Sequence, residues 1–253
     1  FSQAQANWPG SRSCAARGHR RTECILEPHA PVPLKAPSEF TAQRRFASLL
    51  GENLLDVCLL NGAQIEQLYR HYELLTRWNK VLNLTAIRRM EDAVPRHYCE
   101  SLFLAAHLPT EPITLADVGS GAGFPGIPIA VLRPECRVTL IESHKRKAVF
   151  LREATRNLAN VRVVAERAEA VEESFDWIVS RAVKPAEVLR LLPRLARHVG
   201  FLIGQADCCN ILKINKIVWR APVPLPWGRQ RVLLVDNFQG KGSGFTWNRF
   251  NIL

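Results

Sequence analysis

The sequence predicts an α/β fold built on a mainly parallel sheet with helices on both of its faces. Three observations predict it. Beyond Pro112, short apolar runs of strand length alternate with segments of helical length. A glycine-rich turn, Gly119-Ser120-Gly121-Ala122-Gly123, follows the first of those runs directly. A chain of 253 residues, 47% apolar and 23% charged, has the size and composition for one such domain plus a small flanking element.

Taken in order, residues 1–40 hold Pro9, Pro28, Pro31, Pro33 and Pro37 together with Arg12, Arg17, Arg20 and Arg21. They show no sustained apolar period and are expected to form a disordered or loosely attached tail. Their Arg-rich, acid-poor composition also fits an organelle transit peptide, although the prolines oppose an amphipathic helix. Over residues 41–110 helical patterns take over: Ile65, Leu68, Tyr69, Tyr72 and Leu75 recur at three- and four-residue intervals. A further helix is predicted from His97 to His107, stopped by Pro109. These segments make an N-terminal helical cap.

Residues 111–236 carry the sheet. Strands are expected at Ile113–Val118, Val138–Glu142, Val161–Val164, Asp176–Ser180 and Phe201–Ile203, with helices at Lys145–Leu158 and Ala186–His198. Ile214–Trp219 and Arg231–Val235 flank Pro222, Pro224 and Pro226, which predicts a C-terminal antiparallel hairpin at the sheet edge. Residues 237–253 read as a polar tail.

Charge and cysteine usage narrow the partners. Lys and Arg number 34 against 23 Asp and Glu, a net of +11. Residues 181–253 hold 12 basic and 3 acidic side chains, whereas residues 46–180 hold 15 and 17. A basic face favours polyanions through counterion release. The seven cysteines, at 14, 24, 58, 99, 136, 208 and 209, form no C-x-x-C pair and no zinc-like cluster. No run approaches the roughly 20 apolar residues a membrane helix needs. A cytoplasmic protein with reduced thiols, no metal and no membrane contact is expected, as a monomer.

The glycine turn carries the chemistry. In an open parallel sheet the ligand crevice lies beyond the carboxyl ends of the strands, where residues 117–123 fall. Gly119, Gly121 and Gly123 leave the backbone bare for close approach of a ligand. Asp117 stands at the turn entrance, where it could balance a cationic ligand end. Glu142 lies 23 positions beyond Gly119 at the end of the next strand, the spacing at which such folds place a carboxylate on ribose hydroxyls. Gly121 to Gly126 also fits the dinucleotide fingerprint G-x-G-x-x-G. Pro125 and Pro128, however, remove N–H groups where a pyrophosphate needs them, and Asp117 would repel it. An adenosine bearing a sulfonium amino acid suits the site better. Ala168 and Glu169 follow the third strand, where an adenine would lie; Glu169 could equally be a surface charge among Glu166, Glu172 and Glu173. Arg181 would emerge beside the crevice, or serve a structural ion pair.

At these residues the chain resembles the RsmG (GidB) family, which methylates N7 of a guanine in 16S ribosomal RNA. The resemblance runs from about Ile65 to Val235. It is carried by Trp78-Asn79-Lys80-Val81-Leu82-Asn83-Leu84-Thr85, Arg96-His97 with Ser101, Asp117 to Pro128, Glu142-Ser143 through Phe150-Leu151, and Ser180-Arg181-Ala182. It implies a Rossmann-like class I methyltransferase fold with S-adenosyl-L-methionine as cofactor and 16S rRNA or the small ribosomal subunit as partner. It further implies cofactor contacts at Gly119, Phe124, Ala168, Glu169 and Arg181, beside the Glu142 read from spacing. RNA contacts are expected at Arg96, His97, Lys145, Arg146 and Lys147. For His97 the competing reading is a histidine packing a helix, and for the basic run a solvated helix N-terminus. The chain departs from the family at Glu100, where Asp is frequent, and at Ile203-Gly204, where Lys-Gly is usual. The segment after Gly204 is also shortened.

Guanine N7 carries an exposed lone pair and the sulfonium is already activated, so no acid–base residue, protein nucleophile or metal is expected. Alignment and desolvation carry the catalysis. Because N7 lies in the deep RNA major groove, the target must be unpaired or splayed out. A small-molecule methyltransferase, or an RNA-binding protein on a degenerate methyltransferase scaffold, are the alternatives.

Overall fold

A computed structural model of the chain describes residues 37–54, 57–214 and 217–237. The expected tails at 1–40 and 237–253 therefore lie almost wholly outside the described residues. Helix α1 (Pro37–Leu54) already occupies the last four positions of the first.

Seven strands form one sheet in the order β3-β2-β1-β4-β5-β7-β6. Strands β1 (Thr114–Val118), β2 (Arg137–Ile141), β3 (Val161–Val164), β4 (Phe175–Ser180) and β5 (Ala196–Gly204) are mutually parallel. β7 (Arg231–Val235) runs antiparallel between β5 and the short edge strand β6 (Val223–Pro224). The strand order reverses beside β1, so the crevice of this Rossmann-like fold opens beyond the carboxyl ends of β1 and β4.

The cap is built by α1, α2 (Gly62–Leu82) and a broken helix made of α3 (Met90–Ala93) and α4 (Glu100–Ala106), while α5 (Gly126–Leu132) follows β1. Phe46, Leu49, Leu50 and Leu54 bury one stripe of α1, and Leu68, Tyr69, His71 and Leu75 one stripe of α2. A capping box starts α2: the Asn61 side chain accepts from Gln64 N, and the Gln64 side chain accepts from Asn61 N, each at 2.9 Å. Asn83 ends it in the left-handed region, at φ 47°. The cap shares a single apolar core with the sheet, since Phe46, Leu68 and Tyr98 pack in one cluster with Leu115, Phe124 and Phe150.

Several elements differ from their predicted bounds. The helix expected at His97–His107 begins at Met90, passes through a π-helical stretch at Val94–Cys99 and resumes as Glu100–Ala106. Pro95 has no N–H to give the α-helical ladder, and the wider turn absorbs the mismatch. Helix α6 (Lys145–Ala154) stops short of Leu158 because the Thr155 hydroxyl donates to Leu151 O at 2.8 Å and the chain turns. Helix α7 (Pro185–Leu195) passes straight into β5, so Ala196–His198 are strand rather than helix. The first arm of the C-terminal hairpin is corrected too. Residues 215 and 216 of the predicted arm lie outside the described residues; among those described, Trp219 alone makes a bridge, to Asp236, and β7 pairs with Val223 and Pro224. Prolines cannot donate to a further strand, so this edge is closed to sheet extension. Helix α8 (Gln205–Leu212) was not foreseen.

Candidate cofactor and acceptor site

The turn after β1 is fixed from several directions. Gly119, Gly121 and Gly123 have φ of 74°, 56° and 90°, a backbone region that side-chain-bearing residues rarely adopt. A Cβ on Gly119 would strike Val183, whose side chain packs on the turn from the loop after β4. A Cβ on Gly121 would meet nothing nearer than Gly119 O at 3.8 Å, so the turn is open to a ligand there. Glu142 reaches this point: its two carboxylate oxygens accept from Gly121 N at 2.9 Å and His144 N at 2.8 Å. Each oxygen keeps a lone pair for a hydroxyl donor.

Asp117 is fully buried, accepts from Gly126 N at 2.9 Å through one oxygen, and leaves the other, Oδ1, without a partner. Burial pushes its carboxyl up to about 7, against the Gly126 N–H that favours the charged form. A buried, unsatisfied carboxylate oxygen at the entrance of the turn is suited to a cationic group. Most of the donors that a pyrophosphate would need are already used. Gly123 N and Phe124 N bond Ser120 O, Ile127 N bonds Gly123 O, and Gly126 N bonds Asp117. Pro125 and Pro128 have none to offer. The dinucleotide reading loses its phosphate site, while a phosphate-free adenosyl ligand fits.

His71, passed over as a site residue in the sequence, anchors the turn to the cap. Its Nε2 lies 3.0 Å from Ala122 O, which can only accept, so Nε2 carries the proton; Nδ1 then accepts from the Tyr98 hydroxyl at 2.8 Å. Burial lowers this imidazole to about 4 and keeps it neutral. Its only sequence signal was a polar residue falling on the buried stripe of α2.

The remaining predicted residues are placed as follows. Phe124 is buried, stacked on His97 with centroids 4.7 Å apart, and faced by the Arg181 guanidinium 5.9 Å from its ring centre. His97 is buried inside the cap, its Nε2 2.8 Å from the Thr85 hydroxyl. Burial, reinforced by Arg181, lowers it to about 3. The ring is enclosed by protein, and the helix-packing reading describes its position. Arg96, Lys145 and Arg146 are exposed and Lys147 is half-buried. The three basic residues open α6, whose N-cap His144 supplies no side-chain hydrogen bond.

Ala168 and Glu169 form a single 3-10 turn after β3, with Ala168 buried and Glu169 exposed. Arg194 of α7 holds that turn, donating to Ala168 O at 2.9 Å, Glu169 O at 3.0 Å and Val171 O. Arg194→Met should free these carbonyls and speed amide hydrogen exchange over the turn about tenfold, because two or three hydrogen bonds order it. Unchanged exchange would show the turn is ordered without it.

Arg181 meets its ionic alternative in the structure. Its Nη2 lies 3.9 Å from Oε2 of Glu100, which is fully buried. The same carboxylate receives Arg231 Nε at 3.1 and 3.2 Å and Arg231 Nη2 at 3.1 Å. Arg231 Nη2 also donates to Leu202 O at 3.2 Å. Burial lowers Arg181 to about 10, with Glu100 opposing, so it stays charged at neutral pH. Arg181 and Arg231 both line a cavity of about 460 Å³ at the ends of β4 and β5. Among the described residues no three His, Cys, Asp or Glu side chains are grouped to hold a metal, and no helix is long and apolar enough to cross a membrane.

The sequence model of GidB, described as rRNA small subunit methyltransferase G, matches residues 64–203. Ribosomal RNA small subunit methyltransferase G of Xanthomonas campestris is 44% identical over 163 residues, spanning 59% of this chain and 76% of that protein. The protein of the same name from Dichelobacter nodosus is 48% identical over 128 residues, 49% of this chain and 60% of its own length. Among solved structures, a SAM-dependent methyltransferase from Aquifex aeolicus superposes with a TM-score of 0.48 at 17% identity, covering 57% of this chain and 92% of that one. With a match over more than half its length and a relative this similar, the chain belongs to the rRNA small subunit methyltransferase G (GidB) family.

Proposed function

We infer that the protein transfers a methyl group from S-adenosylmethionine to small-subunit ribosomal RNA, at N7 of a guanine in 16S rRNA as its family resemblance implies. The observation that carries the reading is the glycine turn: open at Gly121, gripped by Glu142, and with the N–H groups of Gly121, Gly123, Phe124 and Gly126 already bonded within the protein.

Within this reading Glu142 binds the ribose hydroxyls, Asp117 Oδ1 answers the cationic amino-acid end, and the Ala168–Glu169 turn borders the adenine. Gly119 and Phe124 shape the wall, the first by admitting Val183 and the second by carrying Arg181 on its ring. When bound, the sulfonium supplies an activated methyl group. The residues of this chain then need only hold N7 in line and exclude water, and no side chain has to move a proton. Arg96, Lys145, Arg146 and Lys147 form the expected RNA contacts. The basic residues at the start of α6 oppose its dipole and form no ion pair among the described residues, so a phosphate there relieves an unfavourable arrangement.

Unmethylated small subunits incubated with the protein and labelled S-adenosylmethionine should gain one methyl group, located by mass mapping of the 16S rRNA. Transfer should fall steeply with added salt, and alanine at Lys145, Arg146 and Lys147 together should flatten that dependence. Saturable cofactor binding without transfer to RNA would instead favour a small-molecule acceptor.

A further inference from the structure

We propose that the cavity at the ends of β4 and β5 receives the target base, and that Asp207 makes it select guanine. The proposal rests on the RNA-methylation reading above and names the part of the site that recognises the acceptor.

The cavity adjoins the glycine turn. Its wall begins at Arg181, which faces Phe124, and continues through Val183, which packs on Gly119. Its volume, about 460 Å³, is within the usual range for pockets that enclose a small ligand. Ile203, where the family usually has lysine, contributes an apolar surface against which a purine ring can lie.

The charges of the lining are uneven. Arg181, Lys184 and Arg231 are cationic, and Asp207 is the single carboxylate among the described lining residues. Arg181 and Arg231 are bound to Glu100 beneath the cavity. Asp207, on the first turn of α8, makes no ion pair or hydrogen bond among the described residues, although three cations share its cavity. Both of its oxygens remain free to accept.

Guanine presents N1–H and the N2 amino group side by side, two donors that match the two oxygens of one carboxylate. Adenine offers an acceptor at N1 and fails the match. This edge lies across the ring from N7, so a carboxylate gripping it leaves N7 turned towards the methyl donor and O6 available to a guanidinium. The N7 lone pair forms the new bond to carbon while the carbon–sulfur pair leaves with sulfur, and no proton is released. The base becomes cationic and its N1–H more acidic. The bond to Asp207 therefore tightens as the reaction proceeds, which places its effect in kcat as well as in binding.

The test uses small subunits reconstituted with guanine or inosine at the methylated position, inosine lacking the N2 amino group. The wild-type protein should prefer guanine by about tenfold in kcat/KM. Asp207→Asn and Asp207→Ala should each lower kcat/KM on guanine about a hundredfold and bring the guanine-to-inosine ratio close to one. Affinities for S-adenosylmethionine and for the whole subunit should stay within twofold, and the urea midpoint should be unchanged. Titration with guanosine and inosine monophosphates provides a readout without turnover: a guanosine preference in the wild type should vanish in both variants. If the wild-type protein methylates guanine and the variants retain its preference, the pocket assignment alone is overturned. If the wild-type protein leaves the rRNA unmodified, the functional reading and the pocket fall together.

Discussion

Glu142→Ala is expected to raise the dissociation constant for S-adenosylmethionine by about a hundredfold with little loss of stability. The carboxylate both shapes the glycine turn, through Gly121 N, and retains acceptor capacity towards a ligand. Hydrogen bonds to a charged partner contribute about 1.5–3 kcal/mol each, and two ribose hydroxyls would forfeit theirs together. Gly121 N and His144 N would turn to water at small cost, being near the surface. Calorimetric titration beside urea unfolding separates the two effects. An affinity within threefold of the wild type would remove Glu142 from the cofactor site.

The largest effect on stability is expected from Glu100→Gln, at about 3–5 kcal/mol, because it strands two guanidinium groups in a buried setting. Arg231 addresses both oxygens of Glu100 and Arg181 approaches one of them, while the carboxylate itself has no exposure. An amide cannot neutralise either cation, and its own N–H groups would face the Arg231 donors. Adding Arg231→Met to Glu100→Gln should restore part of the loss, since fewer unpaired charges remain. Urea unfolding of the single and double variants measures this. A loss below about 1 kcal/mol for the single variant would mean the pair is solvated in solution.

The sheet and the turn were legible because both are written locally. Apolar runs of strand length located β1 to β4 within one or two residues, and a glycine cluster after β1 has few structural meanings. The position of Glu142 beside the glycine turn was legible from spacing and strand context, because strand, turn and helix lengths in this architecture fix where the second strand ends. The errors share a different origin. Glu100 read as a mere departure from the family, since its partner Arg231 is 131 residues away and no pattern joins them. Arg194 sat unmarked among the charges of an amphipathic helix because its targets are carbonyl groups, which the sequence does not display. The hairpin arm was misplaced because Ile214–Trp219 has the better strand composition, whereas pairing with β7 was decided by the proline-rich segment that returns beside it. For His97 the motif left two readings, a contact with RNA or a histidine packing a helix, and the burial of its neighbours Val94, Tyr98 and Cys99 shows the packed environment that a motif does not display.

The clamp between Glu100 and Arg231 also bears on how the enzyme is made. A nascent chain acquires the glycine turn by residue 123 and the carboxylate that grips it by residue 142, but the buried Glu100 waits for Arg231 until β7 has left the ribosome. Until then Glu100 has Arg181 alone, at 3.9 Å, and lacks the closer contacts of Arg231, which opposes early closure around it. Translation order thus completes the glycine turn before the cavity that Arg181 and Arg231 line.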